Sequence, residues 1–270
     1  AELLANLHAS LAASAPHSTT PNSRRTAPPL SALKRGDLCR ACVAQIAIPQ
    51  VGSKRVKISE VSARGAAFLK EYQTRMLYDE AEATRRMEES GVVPYIDPGL
   101  RSKRAQVKPA AKMFLGGLLE PVRRVKGHIY PFTVVKKVLN VPPKTEKDFE
   151  QRLVLDQRRP NHAWRTPPSS PMGSPALFPF VEVPRRPKKT TQAMVGDLPN
   201  FYWSLGLESG MEEHFCLPDV SPRDLALELW RSHQMEVVFP AETVGFGLAC
   251  PAMGWSWAVV LAHMCLEDIL

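Results

Sequence analysis

Val195-Gly196-Asp197-Leu198-Pro199-Asn200-Phe201-Tyr202-Trp203 sets one carboxylate between a short apolar run and three consecutive aromatic rings. Residues 193–195 read as a strand end, Pro199-Asn200 as a turn, and the residues from about Asn200 as a short helix. An acid at a strand terminus beside a bulky ring can hold a metal ion against a flat ligand. Equally, its side-chain oxygen can do no more than cap the turn. The surroundings decide between the two.

Downstream, residues 214–217, 237–239 and 244–248 read as strands. Ser221-Pro222-Arg223-Asp224 combines a cap, a first-turn proline and an acid at the third position, and opens a helix to about Ser232. Residues 255–270 are apolar on most faces and read as a buried helix. Upstream, residues 162–190 are proline-rich, carry Arg185-Arg186-Pro187-Lys188-Lys189, and read as an extended connector. Residues 130–135 read as a strand that runs into Lys136-Lys137, and 138–150 as a loop. Residues 152–156 read as the returning strand, so residues 129–161 form a basic hairpin. A helix is expected over 63–90, with Phe68, Tyr72, Met76 and Leu77 on one face and Gly91 as its stop. Another is expected over 110–119, and Asp97-Pro98 has the form of a helix start. Residues 1–60 read as a mostly flexible tail and 61–128 as a helical, basic region. The fold class is α+β, with antiparallel strands packed against helices.

The formal charge of +8 conceals a division. Residues 191–270 hold two basic and eleven acidic side chains, a balance of −9, whereas residues 1–190 hold 33 against 16, a balance of +17. A basic body joined to an acidic end suits a polyanion handled by one part and a cation by the other; an ordinary solvated surface gives the same arithmetic. No run of 18 apolar residues is present and no basic segment leads an apolar one at the start, so an intracellular chain with no membrane contact is expected, nucleus and cytoplasm not being distinguishable. Five cysteines argue for reduced thiols. Cys39-Arg40-Ala41-Cys42 has the spacing of half a zinc site, but no second pair follows it.

Three blocks, in order, resemble the reverse-transcriptase family of RNA-directed DNA polymerases, of retroelement type. Phe132-Thr133-Val134-Val135-Lys136-Lys137 followed by Arg152-Leu153-Val154-Leu155-Asp156-Gln157-Arg158-Arg159-Pro160-Asn161 is similar to the fingers pattern. The opening stretch, with Leu207 and Phe215-Cys216-Leu217-Pro218 after it, is similar to motif A. Pro251-Ala252-Met253-Gly254-Trp255-Ser256-Trp257-Ala258 is similar to motif B, with one residue more between Pro and Gly than is usual. The resemblance spans about residues 129–270 and implies a right-hand polymerase fold, with fingers and a partial palm over 191–270. The family's Asp-Asp pair after motif B does not occur in these residues, so the chain reads as a fragment, inactive by itself.

The resemblance implies roles residue by residue. Asp197 and the carbonyl of Leu198 would hold Mg2+ or Mn2+, which suits oxygen ligands and in-line transfer at phosphorus. Arg152, Lys136 and Lys137 would grip the triphosphate of a deoxynucleotide; alternatively, Arg152 is a strand-surface charge paired with Glu150 or Asp156. Tyr202 would exclude a 2′-hydroxyl, or is a core tyrosine between strand and helix; Phe201, where many family members carry a small residue, would narrow the sugar pocket. Met253 and Gly254 would pass close to the nucleotide. Asp156, Arg158 and Asn161 would hold the hairpin, or Arg158 and Asn161 would touch the template-primer, RNA or DNA, together with Arg185, Arg186, Lys188 and Lys189. Two other readings stand beside this one: a non-catalytic nucleic-acid-binding remnant, and a proline-rich interaction scaffold with unknown protein partners.

Overall fold

The computed structural model describes residues 30–48, 55–169, 198 and 200–269. Its largest sheet has four strands in the order β1-β5-β6-β2, where β1 is Leu38–Cys39, β2 Ile46–Ala47, β5 Tyr130–Val138 and β6 Phe149–Asp156. β5 and β6 form the expected antiparallel hairpin, from Tyr130 opposite Asp156 to Val138 opposite Phe149, with a register shift at Lys136. Alternation explains the pairing: Phe149, Gln151, Leu153 and Leu155 are buried, while Glu150, Arg152 and Val154 between them face outward. β1 joins antiparallel to β5 and β2 parallel to β6, so one row runs Leu38, Val134, Arg152, Ala47.

Residues 38–48 and 55–60 are therefore part of the fold, within a stretch expected to be mostly flexible. The buried carboxylate of Asp97 is the fastener. It accepts hydrogen bonds from the N–H groups of Ala41 (3.0 Å), Gly99 (2.7 Å) and Thr133 (3.3 Å), and so joins the amino-terminal strand, a 3-10 turn and β5. Gln151 adds a second tie, accepting from Cys42 N (2.7 Å) and donating to Arg40 O (2.9 Å).

The expected helix over 63–90 is three pieces after a short α1 (Ile58–Val61): α2 (Ala63–Leu69), α3 (Tyr72–Arg75) and α4 (Glu80–Glu89). The break has a cause. Arg165 N donates to Met76 O (2.7 Å) and Tyr78 N to Ala163 O (3.0 Å), so residues 76–78 pair with a distant segment instead of continuing the helix. Asp79 then caps α4 by accepting from Glu82 N (2.9 Å). The helix expected over 110–119 lies earlier, as α5 (Lys103–Leu115), capped by Ser102. Leu119 belongs instead to β4 (Leu119–Val122), which pairs antiparallel with β8 (Gly245–Leu248). Two-residue strands β3 (Val56–Lys57) and β7 (Leu205–Gly206) pair in parallel.

The acidic end contributes α6 (Phe201–Ser204), α7 (Pro222–His233) and α8 (Ala258–Ile269). Ser221 caps α7 as expected, its oxygen accepting from Asp224 N (3.2 Å). Residues 237–239 form no strand, and Val238 stands in solvent. Around Cys216 a 3-10 turn, Glu212–His214, and two isolated bridges replace the expected strand over 214–217. Trp255 and Trp257 precede the last helix in a turn. Most buried apolar residues, from Ile46 to Cys265, form one large cluster, in which α8 lies against α1 and α2; Leu33, Cys39, Val135 and Phe149 form a smaller second one. Among the described residues, no helix is long and apolar enough to cross a membrane.

Candidate functional site

Asn161 is the joint between two of the three sequence blocks. A turn after β6 brings its N–H onto Gln157 O (2.8 Å). Its amide then spans the turn before α8, donating to Gly254 O (2.8 Å) and accepting from Ser256 N (3.0 Å). Gly254 has φ +104°, and a Cβ there would lie 3.0 Å from Leu155 O. Glycine is required on both counts, conformation and close approach to the end of β6. Trp257 pins the other side of the turn by donating from Nε1 to Arg165 O (2.7 Å). Pro251 and Ala252 are buried, whereas Met253 is half-buried and Gly254 exposed.

The third block approaches the same helix. Asn200 enters α6 through the left-handed region, with φ 58°. Phe201 and Tyr202 are half-buried against the core, their ring centroids 6.4 Å apart, and α6 touches α8. Burial pushes the Tyr202 phenol above its ordinary range. Leu198 is exposed. Asp197 lies outside the described residues, as do Arg185, Arg186, Lys188 and Lys189.

On the outer face of the hairpin, Arg152 is exposed and enters no ion pair among the described residues. Both partners considered for it are engaged elsewhere: Glu150 with Lys136 (2.6 Å), and Asp156 with Arg158 (2.8 Å). Lys137 is exposed opposite Glu150. Arg158 holds the buried Asp156 carboxylate with two donors, Nε (2.9 Å) and the terminal nitrogen, and Tyr95 N donates to the same group (2.8 Å). Burial raises the Asp156 pKa, but these hydrogen bonds outweigh it and hold the carboxyl below its usual value. Asp156 thus holds Arg158 and Tyr95 N at the hairpin base, and the Asn161 amide holds the Gly254 turn.

A divalent ion needs several oxygen ligands together. Among the described residues no group of three or more His, Cys, Asp or Glu side chains could hold a metal. The acidic pair in α8 is engaged: Arg64 contacts Glu267 (2.8 Å) and Asp268 (3.0 Å), and Ser62 donates to Asp268 (2.6 Å). Cys39 is a buried thiol beside Thr133 Oγ1 (3.6 Å), its pKa raised by burial, and acts as a small core residue.

Two features at this end of the hairpin had no signal in the residue pattern. Gln157 is buried with both amide atoms unpartnered, packed beside Gly254. A cavity also opens between α4, the segment 126–130 and the 3-10 turn Pro160–Ala163. Its walls come from residues far apart in sequence, so only packing assembles it. No protein-family model and no curated protein matches the chain.

Proposed function

We propose that the chain is the fingers and part of the palm of an RNA-directed DNA polymerase, which extends a primer by template-directed nucleotidyl transfer. The observation that carries this reading is the Asn161 amide, which ties the Arg-x-x-x-Asp-x-Arg-x-x-Asn segment to the Gly254 turn. Residues in the order of the family's motifs thereby meet at one place, with α6 against the helix that follows the turn.

In this reaction a primer 3′-hydroxyl attacks the α-phosphorus of a deoxynucleoside triphosphate, and pyrophosphate leaves. Asp197 and the Leu198 carbonyl would hold Mg2+ or Mn2+, which would supply charge neutralisation at the phosphates. The exposed guanidinium of Arg152 offers paired donors to the triphosphate, with Lys136 and Lys137 adding charge at the same end of the hairpin. Tyr202 bars the 2′-hydroxyl, and the exposed Gly254 turn, with Met253, borders the base.

The test is primer extension on an RNA template with Mg2+ or Mn2+, by the longest natural chain containing these residues. Asp197→Ala is expected to abolish extension, and unchanged extension would overturn the metal assignment. Arg152→Ala is expected to raise the KM for deoxynucleotides about tenfold or more, the loss of a charge-assisted contact. Tyr202→Ala is expected to admit ribonucleotides. A second reading is nucleic-acid binding without catalysis, supported by the basic balance of residues 1–190. It predicts strongly salt-dependent binding to template-primer and no extension.

A further inference from the structure

The cavity beside the hairpin base has a volume of about 240 Å3. That is below the range of about 300–1,000 Å3 typical for drug-sized ligands, and suits one ring system. Apolar groups make most of its wall, among them Met87, Pro94, Ala163 and Trp164. Trp164 is a fixed wall: it stacks on Phe215 at 5.6 Å and 6°, and meets Trp255 edge-on at 4.9 Å. Gly127 fixes the opposite side, since a Cβ there would lie 2.7 Å from His214 O, and Cys216 N donates to Gly127 O (3.0 Å).

His214 is the polar group of this wall. Its ring meets Trp164 at 5.4 Å and Tyr72 at 5.9 Å, both edge-on, and no protein group hydrogen-bonds its nitrogens among the described residues. Burial, helped by the charge of Lys126, brings its pKa down to about 4, so at neutral pH the ring is neutral and offers one donor and one acceptor. Cations stand at the mouth. Lys126 is held by Glu213 (2.7 Å), whereas Arg159 is exposed and enters no ion pair among the described residues. His128 lines the same opening.

We propose that this cavity binds one unpaired nucleotide, with the base between the apolar walls, its edge on His214, and its phosphate at Arg159 and His128. An apolar slot with a neutral donor–acceptor edge and a cationic mouth matches a base that carries a phosphate, and single strands present such bases when they unstack. Arg159 and Pro160 belong to the Arg152–Asn161 segment, but no residue of the cavity wall is given a role in nucleotidyl transfer, so the proposal is tested apart from polymerase activity. A free nucleoside monophosphate and one unit of a single strand share this chemistry.

The test is equilibrium binding to the full chain of four probes: an eight-nucleotide oligoadenylate RNA, an abasic strand of the same length and charge, AMP, and phosphotyrosine. The oligoadenylate is expected to bind about tenfold more tightly than the abasic strand. Ala163→Leu, which fills the cavity, should remove that preference and leave abasic binding unchanged. Arg159→Ala should weaken both strands. Should AMP alone bind in the micromolar range and match the strand, the free mononucleotide is the ligand. Equal affinity for base-bearing and abasic strands, or tighter binding of phosphotyrosine than of AMP, would overturn the proposal. Histidine ring resonances give a readout on the unaltered chain: AMP is expected to shift two of them, His128 and His214, and no shift at saturating AMP would also overturn it.

Discussion

The two ends of the β5–β6 hairpin are each organised by one aspartate, in opposite surroundings. At the tip, Asp148 is half-exposed and accepts from Asn140 (2.6 Å), Lys144 N (2.9 Å) and Thr145 N (2.9 Å), forming a capping box with Thr145. At the base, Asp156 is buried and holds Arg158 and Tyr95 N. Both carboxyls are held below their usual pKa, but water can replace what the tip loses, whereas the base has none to spare. The base is also adjacent to Asn161 and the Gly254 turn, so only there does hairpin geometry bear on the candidate site.

The largest effect is expected at the base. Asp156→Ala leaves Tyr95 N and Arg158 N without acceptors and should cost about 3 kcal/mol, measured as a lower urea midpoint at constant slope. A cost near zero would erase the distinction between the two ends. Gly254→Ala places a Cβ against Leu155 O in a backbone region that L residues avoid, and should cost about 2 kcal/mol. Asn161→Ala should cost roughly 1–2 kcal/mol and speed amide exchange at Ser256 more than at Thr145. Equal changes at both amides would mean that the two ends move together.

Most of the hairpin and the Ser221 cap of α7 were legible in the sequence, because alternation and Ser-Pro-x-Asp spacing are local signals, whereas the caps by Asp79 and Ser102 were not read. The break between α3 and α4 was not, since residues 163–165 take the backbone groups of Met76 and Tyr78. Nor were β1 and β2, two-residue strands whose partners lie far along the chain. At the candidate site, Gly254 and Asn161 stood out as residue types, but the bond between them did not. The binding cavity was invisible for the same reason: Met87, Gly127, Trp164 and His214 are neighbours only after packing.

The smallest effect belongs to the tip. Hydrogen bonds from Asn140, then Lys144 N and Thr145 N, bring Asp148 from 3.8 to about 2. A depressed carboxyl contributes stability that is complete above its unfolded value and fades as pH falls toward the folded one. Amide shifts of Lys144 and Thr145 in an NMR titration should therefore report a midpoint near pH 2, and Asn140→Ala should move it upward. A midpoint near 3.8 in the unaltered chain would remove the tip from the comparison.

Ser62 and Asp268 touch although they are 206 positions apart, and Arg64 reaches the same carboxylate. On a ribosome, which adds residues from the amino terminus, α1 and α2 emerge long before the helix that covers them. Their apolar side must wait, uncovered, while the hairpin forms from local contacts. Closing so long a loop is slow, so this contact should form after the transition state for folding. Removing it with Arg64→Ala should then accelerate unfolding and leave the folding rate nearly unchanged. Until that late closure, the nascent chain presents a surface that holdase chaperones favour.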